Sequence, residues 1–171
     1  MNPQLQYVYS RRSVRRFKSD DVDEGLVRDL LEAAMAAPSA CNEQPSHFLV
    51  IRQRATLDAI PQFHQYAQML REAPLCIVVC GEPAKQIATD GYWIQDCSAA
   101  TQNILLAATD LGLGSCWLGL HPSEGRPEAM RQLLGIPDNI TPMAAIALGH
   151  PAETQPPSER YDAERVHQER W

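Results

Sequence analysis

The chain lacks a recognisable framework of cysteines. Five of its 171 residues are cysteine, and none forms a Cys-x-x-Cys pair. The odd number argues against a disulfide framework, and no second Cys or His pair stands at the ligand spacing of zinc. Cys76 and Cys80 lie four residues apart in an apolar run, where we expect buried hydrophobic side chains on one face of a strand. The sequence therefore predicts no metal site.

Long apolar runs, targeting segments and broad basic stretches are also lacking. No uninterrupted apolar run reaches the length of about 18 residues that a membrane span needs. Residues 1–7 do not have the charged and apolar regions of a signal peptide. The formal net charge is −6, which argues against a basic surface for nucleic acid. We therefore expect a cytoplasmic protein that binds neither nucleic acid nor membrane.

The common nucleotide and catalytic motifs are missing as well. The chain has no P-loop, no Gly-x-Ser-x-Gly elbow and no His-Glu-x-x-His. Gly112 and Gly114 follow a predicted helix and precede a predicted strand, which is the reverse of the Rossmann order, so we expect them to cap and turn the helix. The five histidines are scattered, and nothing marks a Cys–His nucleophilic pair. No side chain is predicted to be catalytic.

The sequence that is present fits one domain over residues 1–171. Its 44% hydrophobic content suits a globular chain, which at this length buries about 70% of its unfolded surface. Apolar periodicity predicts a helix that begins after an Asp21 cap and ends before Pro38. Further helices are predicted over 56–73, with Pro61 as a break or a start, over 92–111 and over 127–134. Strands are predicted over 47–52, 75–81, 115–120 and 141–148.

The helix predicted over 92–111 has an apolar seam and several small alanines on its other faces. It is either a plain core helix or one that is shared between the core and a subunit contact. The segment from Pro151 onward has little periodicity and reads as an extended tail. Because the tail ends in Trp171, we expect it to dock on another surface.

Positive charge is concentrated in residues 11–17 (RRSVRRF), although the chain as a whole is acidic. If this segment is extended, Arg11, Ser13 and Arg15 point to one side and could hold a single phosphate. The alternative is an exposed basic patch, or salt bridges to the acids between Asp20 and Glu24.

A polar loop, residues 38–45 (PSACNEQP), separates the first long helix from the first strand. The side-chain amides of Asn42 and Gln44 each offer donors and an acceptor, which suit the edge of a flat heterocycle. Taken alone, the segment reads as an ordinary polar loop.

These motifs together resemble the nitroreductase family of FMN-dependent NAD(P)H oxidoreductases. The arginine segment and the loop are followed by WIQDCSAATQNILLAATDLGLGSCWLG and by the late ALGHPAE and ERYDAERVHQERW, in the family's order, over roughly residues 7–171. The resemblance implies an α+β fold, with a mostly antiparallel central sheet flanked by helices. It also implies an intertwined homodimer, in which residues 151–171 are an extended tail docking on the partner subunit.

The resemblance also implies a cofactor site. The FMN phosphate and ribityl chain are held in the family by positions that match Arg11, Arg12, Ser13 and Arg15. A late arginine that completes the phosphate site is matched by Arg160. The loop that contacts the flavin ring from the partner subunit is matched by Pro38, Ser39, Ala40, Cys41, Asn42 and Gln44. The segment that passes near flavin N5 is matched by Leu118 and Gly119.

The function that the resemblance implies is hydride transfer from NADH or NADPH, through flavin N5, to a small acceptor. Nitroaromatics, quinones and free flavin are the acceptor classes, and the two substrates use one space in turn, a ping-pong mechanism. The alternatives are a non-catalytic flavin-binding protein, or a family variant for flavin reduction, dehalogenation or flavin breakdown.

The chain departs from the family at two positions near the implied site. Cys41 stands where Met or Thr is common, and Ser46 stands where many relatives have an aromatic residue. Both departures concern the choice of substrate more than the cofactor. Residues 82–93, including Tyr92 and Trp93, are the predicted lid.

Overall fold

An antiparallel sheet organises the chain. The structure is a computed structural model that describes residues 2–87 and 91–171. Within those residues the sheet has four strands in the order β1-β2-β4-β3. The strands are β1 (Ser46–Ile51), β2 (Leu75–Gly81), β3 (Gly114–Gly119) and β4 (Thr141–Gly149). All four had been predicted to within a residue of each end, because each is an apolar run bounded by turn residues.

Five helices of the described residues surround this sheet. They are α1 (Gln6–Ser10), α2 (Glu24–Met35), α3 (Arg54–Phe63), α4 (Tyr92–Asp110) and α5 (Arg126–Leu134). Helices α2 to α5 cover its two faces, and α1 packs against α4. Alternate residues of β2 divide the core, since Leu75 and Ile77 pack with α2 and α4, whereas Cys76 and Cys80 pack with α3 and α5. This is the expected α+β fold, and the two cysteines are the buried hydrophobic side chains that the spacing predicted.

The cap of α2 was predicted two residues too early. Asp23, not Asp21, caps the helix, and its side chain accepts from the Gly25 amide at 2.7 Å. Val22 is buried with Val27 of the first helical turn, so these two apolar side chains fix the entry of the chain and place Asp23 at the cap.

The helix predicted over 56–73 is interrupted, but not at Pro61, where a break or a start was expected. The chain forms α3, with Pro61 inside it, and then a separate 3₁₀ segment, Gln65–Arg71. The break falls at His64, which is extended (φ −125°, ψ 91°) and almost fully buried. A long-range contact of the His64 ring, described below, decides this break, and local periodicity does not reveal it.

The long helix α4 ends as predicted, with Gly112 at a positive φ of 73° directly after its C-cap. Gly114 is not part of that turn, because it is the first residue of β3. Cys97, Thr101, Ile104 and Ala108 of the predicted seam are buried in the core. None of the helices in the described ranges is long and apolar enough to cross a membrane.

Candidate functional site

The arginine segment runs alongside strand β3. Ser13 bridges to Ser115, and the Val14 amide donates to the Ser115 carbonyl at 2.9 Å. Val14 packs so closely on Gly114 that a Cβ added there would lie 2.8 Å from Val14 Cγ1. The segment therefore lies beside β3 as an added bridge, and the missing side chain of Gly114 permits the close approach.

The C-terminal segment holds the other side of the arginine segment. The Ala152 amide donates to the Arg16 carbonyl at 2.9 Å, and the Ser158 amide donates to the Tyr9 carbonyl at 3.0 Å. Arg160 lies two residues after Ser158, and it is exposed. The tail therefore brings Arg160 to the side of the fold that carries the arginine segment, whereas Trp171 is fully exposed in the single chain.

Most of the arginine charge in this segment is unneutralised. In the described part of the chain, Arg11, Arg12 and Arg15 form no salt bridge, whereas Arg16 pairs with Glu72 at 3.0 Å. The predicted alternative of pairing with the acids between Asp20 and Glu24 is wrong, since Glu24 pairs with Arg52 at 3.1 Å. The Arg12 guanidinium donates to the Pro156 carbonyl of the tail. Arginines without carboxylate partners suit a doubly charged anion.

The Glu153 carboxylate and the Cys116 thiol also lie beside the arginine segment. Glu153 accepts from the backbone amide of Arg15 at 2.6 Å, so its oxygen serves the main chain and not a guanidinium. Burial raises the pKa of the Cys116 thiol, and the charges of Arg15 and Arg11 partly oppose that rise. The charges of Arg11 and Arg15 therefore also act on the buried thiol of Cys116.

A cavity of 600 Å³, the arginine cavity, opens between the arginine segment and the end of β3. Its lining includes Arg15, Leu118 and Gly119, which the sequence had predicted as site residues. The sequence did not predict the other polar groups of its lining, which include His64, Gln65, Gln68 and Arg126. They come from the 3₁₀ segment and from α5, where no motif marks them.

His64 and Arg126 both hold the carbonyl of Gly119. The His64 Nε2 donates to that oxygen at 3.0 Å, and an Arg126 amino group donates to it at 3.3 Å. Burial, and then the Arg126 charge, lower the pKa of His64. The imidazole is therefore neutral at neutral pH, with its proton on the nitrogen that faces Gly119. Two donors on one carbonyl fix the end of β3.

Gly119 itself leaves open space in this cavity. A Cβ added at Gly119 would meet no heavy atom within 4 Å, and Gly119 is not among the glycines with a positive φ. Neither packing nor backbone conformation thus requires a glycine here, which is typical of a place where a ligand approaches the backbone.

Gly119→Val is therefore expected to leave the unfolding temperature of the chain unchanged or higher, because valine suits a strand. A ligand that lies against β3 would meet the new side chain, and an overlap that costs about 1–3 kcal/mol weakens binding roughly five- to a hundredfold. Thermal unfolding and ligand titration measure the two effects. Gly114→Ala is the matched control, because its clash with Val14 should lower the unfolding temperature. A Gly119→Val chain that binds as the wild type does would contradict the assignment.

The polar loop lies at the other edge of the sheet and is strained. Cys41, Asn42 and Gln44 have φ values of 50°, 57° and 50°, a region that residues with a side chain seldom adopt. Such strain costs of order 1–3 kcal/mol for each residue other than Gly or Asn and is typical of functional sites. Cys41, Asn42 and Gln44 are exposed, whereas Pro45 is buried and anchors the end of the loop.

Side-chain oxygens outside and inside the loop accept hydrogen bonds from its backbone. The Ala40 amide donates to Asp96 Oδ1 of α4 at 3.0 Å, and the Gln44 amide donates to Ser39 Oγ at 3.0 Å. A second cavity of 390 Å³, the loop cavity, lies beneath and is lined by Pro38, Ser39, Gln44 and Asp96 among others. Ser46 also lines it, with its Oγ 3.4 Å from Cys97 Sγ.

One chain does not bring the arginine segment and the loop into one cavity. The lining residues of the arginine cavity and the loop cavity do not overlap. The loop leads into β1 and the arginine segment runs along β3, and these strands are the opposite edges of the sheet. Three strand spacings of about 4.8 Å separate them by roughly 14 Å.

The predicted lid is only partly described. Trp93 is not a lid side chain, because it is buried in the core, against Gly81 and beside the His121 ring. Tyr92 is exposed, as a lid residue would be. Residues 88–90 of the predicted lid lie outside the described residues.

Comparison with known proteins finds relatives over the whole chain. The sequence profile of the nitroreductase family matches residues 8–65 and 61–150. A Methanothermobacter thermautotrophicus protein, provisionally named an NADH dehydrogenase/NAD(P)H nitroreductase, is 44% identical over 98% of this chain and 87% of its own length.

Solved structures agree with this match. A Parabacteroides distasonis structure with the same provisional name superposes with a TM-score of 0.94 at 36% identity and covers 100% of both chains. The structure of a provisionally named nitroreductase from Desulfovibrio desulfuricans, in complex with FMN, has a TM-score of 0.87 at 35% identity and covers 100% of this chain and 99% of the other.

Proposed function

The chain belongs to the nitroreductase family, and we propose that it is an FMN-dependent oxidoreductase that oxidises NADH or NADPH and reduces a small acceptor. The observation that carries this proposal is the arginine cavity, where Arg15, which forms no salt bridge among the described residues, lines the same space as an open backbone position at Gly119. The FMN-bound structure of a relative at 35% identity supports the choice of cofactor.

The donor set of the arginine segment suits the phosphate end of FMN. The phosphate carries about −1.5 to −2 charges at pH 7, and Arg11, Arg12 and Arg15 offer guanidinium donors that no carboxylate side chain of the described residues neutralises. Ser13 adds a hydroxyl, and Arg160 lies two residues beyond the anchored Ser158. We assign the FMN phosphate and ribityl chain to these five residues.

The remaining site residues suit the flavin ring. Leu118 and Gly119 line the arginine cavity at the end of β3, and His64 and Arg126 hold the Gly119 carbonyl there. Asn42 and Gln44 present amide groups to the ring edge, where donors stabilise negative charge, and Pro38, Ser39, Ala40 and Cys41 complete the loop. When bound, FMN supplies the exchange of hydride at its N5 atom, and the chain supplies binding, orientation and hydrogen bonds.

We propose further that the protein is a homodimer whose sites each use both chains. This proposal is supported by the position of the arginine segment and the loop at opposite edges of the sheet within one chain. A two-fold axis can bring the loop of one chain to the arginine cavity of its partner, and it makes the contact twice. The exposed tail side chains Tyr161 and Trp171 are then available to dock on the partner.

The acceptor is tested by steady-state kinetics on the FMN-loaded protein. NADH and NADPH are each varied against a nitroaromatic, a quinone and free FMN. Because one cavity must hold the nicotinamide and the acceptor in turn, we expect parallel lines in double-reciprocal plots. Intersecting lines would show that both substrates bind together, and FMN binding without turnover of any acceptor would indicate a flavin-binding protein that is not an enzyme.

A further inference from the structure

Asp96 is a buried carboxylate that the proposed chemistry does not use. Its residue is 7% exposed, and it lies in the first turns of α4, directly under the polar loop. Oδ1 accepts the Ala40 amide at 3.0 Å, whereas Oδ2 is buried and has no hydrogen-bond partner among the described residues. None of the residues that line the loop cavity is a cation. The carboxylate therefore has one defined contact, and that contact is with the loop.

The position of Asp96 is that of a cap supplied from another element. The 3₁₀ turn Ala40–Asn42 begins after Ser39, whose side chain makes no capping hydrogen bond. The first amide of a helical turn has no partner within the turn, and a side-chain oxygen normally satisfies it. Here the Asp96 carboxylate does so from α4, and two residues of the left-handed region, Cys41 and Asn42, follow at once.

Stability alone does not account for a carboxylate at this place. Burying a charge without a cation is unfavourable, and the loop that it holds is strained. Strain of this kind persists only where the surroundings enforce it. We infer that Asp96 is a positioning residue: its Oδ1 holds the loop in the conformation that contacts the flavin. The inference rests on the proposed function, since it gives the loop that task.

The test compares Asp96→Ala, Asp96→Asn and a control, Asp110→Ala, which removes an exposed carboxylate from the last position of the same helix. Asparagine keeps an oxygen that can accept the Ala40 amide, whereas alanine does not. FMN affinity is measured by the recovery of FMN fluorescence on dilution, and unfolding temperature is measured without added FMN. Asp96→Ala is expected to bind FMN at least tenfold more weakly at an undiminished unfolding temperature, and the other two variants to bind as the wild type does.

Cys41 gives a second measurement that does not depend on FMN. It is the exposed cysteine of the five, since the other four are buried, and burial raises the pKa of Cys76 and Cys80 to about 12 and of Cys97 to about 11. The rate at which a thiol reagent labels Cys41 therefore reports on the loop, and a Cys41→Ser chain verifies the assignment. We expect Asp96→Ala to label several-fold faster than the wild type, and Asp96→Asn to label at the wild-type rate.

The outcomes separate this inference from the proposed function. A wild-type chain that does not bind FMN contradicts the proposed function. The labelling rates of Cys41 would then still show whether Asp96 holds the loop in place. Unchanged FMN affinity and labelling in Asp96→Ala would overturn the inference. A lower unfolding temperature that accounts for the lost affinity would make Asp96 merely structural, and an Asp96→Asn chain as defective as Asp96→Ala would overturn the role of Oδ1 as acceptor.

Discussion

Arg15→Ala is expected to bind FMN roughly ten- to a hundredfold more weakly than the wild-type chain, and Arg12→Ala is expected to do the same. Each hydrogen bond to a charged group contributes about 1.5–3 kcal/mol, and about 1.4 kcal/mol corresponds to a factor of ten. Arg15 is exposed, and its guanidinium donates one long hydrogen bond within the described residues, to the Ser13 carbonyl at 3.4 Å, so its loss should hardly affect folding. Titration of FMN fluorescence and thermal unfolding measure the two quantities.

Two further variants sharpen this prediction. Arg28→Ala removes an exposed arginine from α2, where it pairs with Glu32 at 2.8 Å, and it should leave FMN affinity unchanged. Arg15→Lys keeps the charge but loses the planar fork of donors, so it should fall between Arg15→Ala and the wild type. If Arg12→Ala and Arg15→Ala bind FMN as tightly as Arg28→Ala does, the arginine segment does not hold the phosphate.

A mixed dimer of an Arg12→Ala chain with an Asn42→Gly chain is expected to bind FMN normally at half of its sites. If a site takes Arg12 from one chain and Asn42 from the other, one site of this dimer carries both changes and the other carries neither. Glycine is chosen at position 42 because it removes the amide yet adopts the positive φ of 57° that Asn42 has. Asn42→Ala would add backbone strain to the loss of the amide.

The mixed dimer is made by co-expressing the two chains with different affinity tags and purifying on both tags. The homodimers of each variant are the controls, and each should bind weakly at every site. A titration of the mixed dimer with one tight and one very weak site supports sharing. Two equally weakened sites would mean that each site belongs to one chain, and a folded monomer that binds FMN at full strength would exclude the shared site.

The local sequence was sufficient to predict the helices and strands that begin and end at recognisable capping or turn residues. Strand β2 was predicted over 75–81, where the structure has Leu75–Gly81, because an unbroken apolar run has no other place than the core. Helix α5 was predicted from Pro127 near its start and Gly135 at its end, and the structure begins it at Arg126. The predicted ends were wrong where a contact with residues distant in the sequence determines the end of a helix. The burial of Val22 places the cap of α2 at Asp23, and the contact of His64 with Gly119 accounts for the break in the 56–73 segment.

The candidate site was predictable to the same extent. The arginine segment and the loop are contiguous motifs, so their residue types and spacing could be recognised. His64, Gln65, Gln68 and Arg126 could not, because they reach the arginine cavity only through the fold. Asp96 is marked in the sequence only as the one charged residue of its helix before Asp110, and its burial follows from the fold. Trp93 was misplaced in the lid because exposure cannot be read from an aromatic residue at the start of a helix.

The measurement that tests the central claim most directly is the visible absorbance of the purified full-length protein, loaded with FMN and then mixed with NADH or NADPH without oxygen. The account predicts one FMN for each chain, held without a covalent bond, and loss of the flavin absorbance on addition of at least one of the two nicotinamides. The absorbance should return when an acceptor is added. A chain that takes up no FMN, or a bound flavin whose absorbance neither nicotinamide changes, would contradict the account.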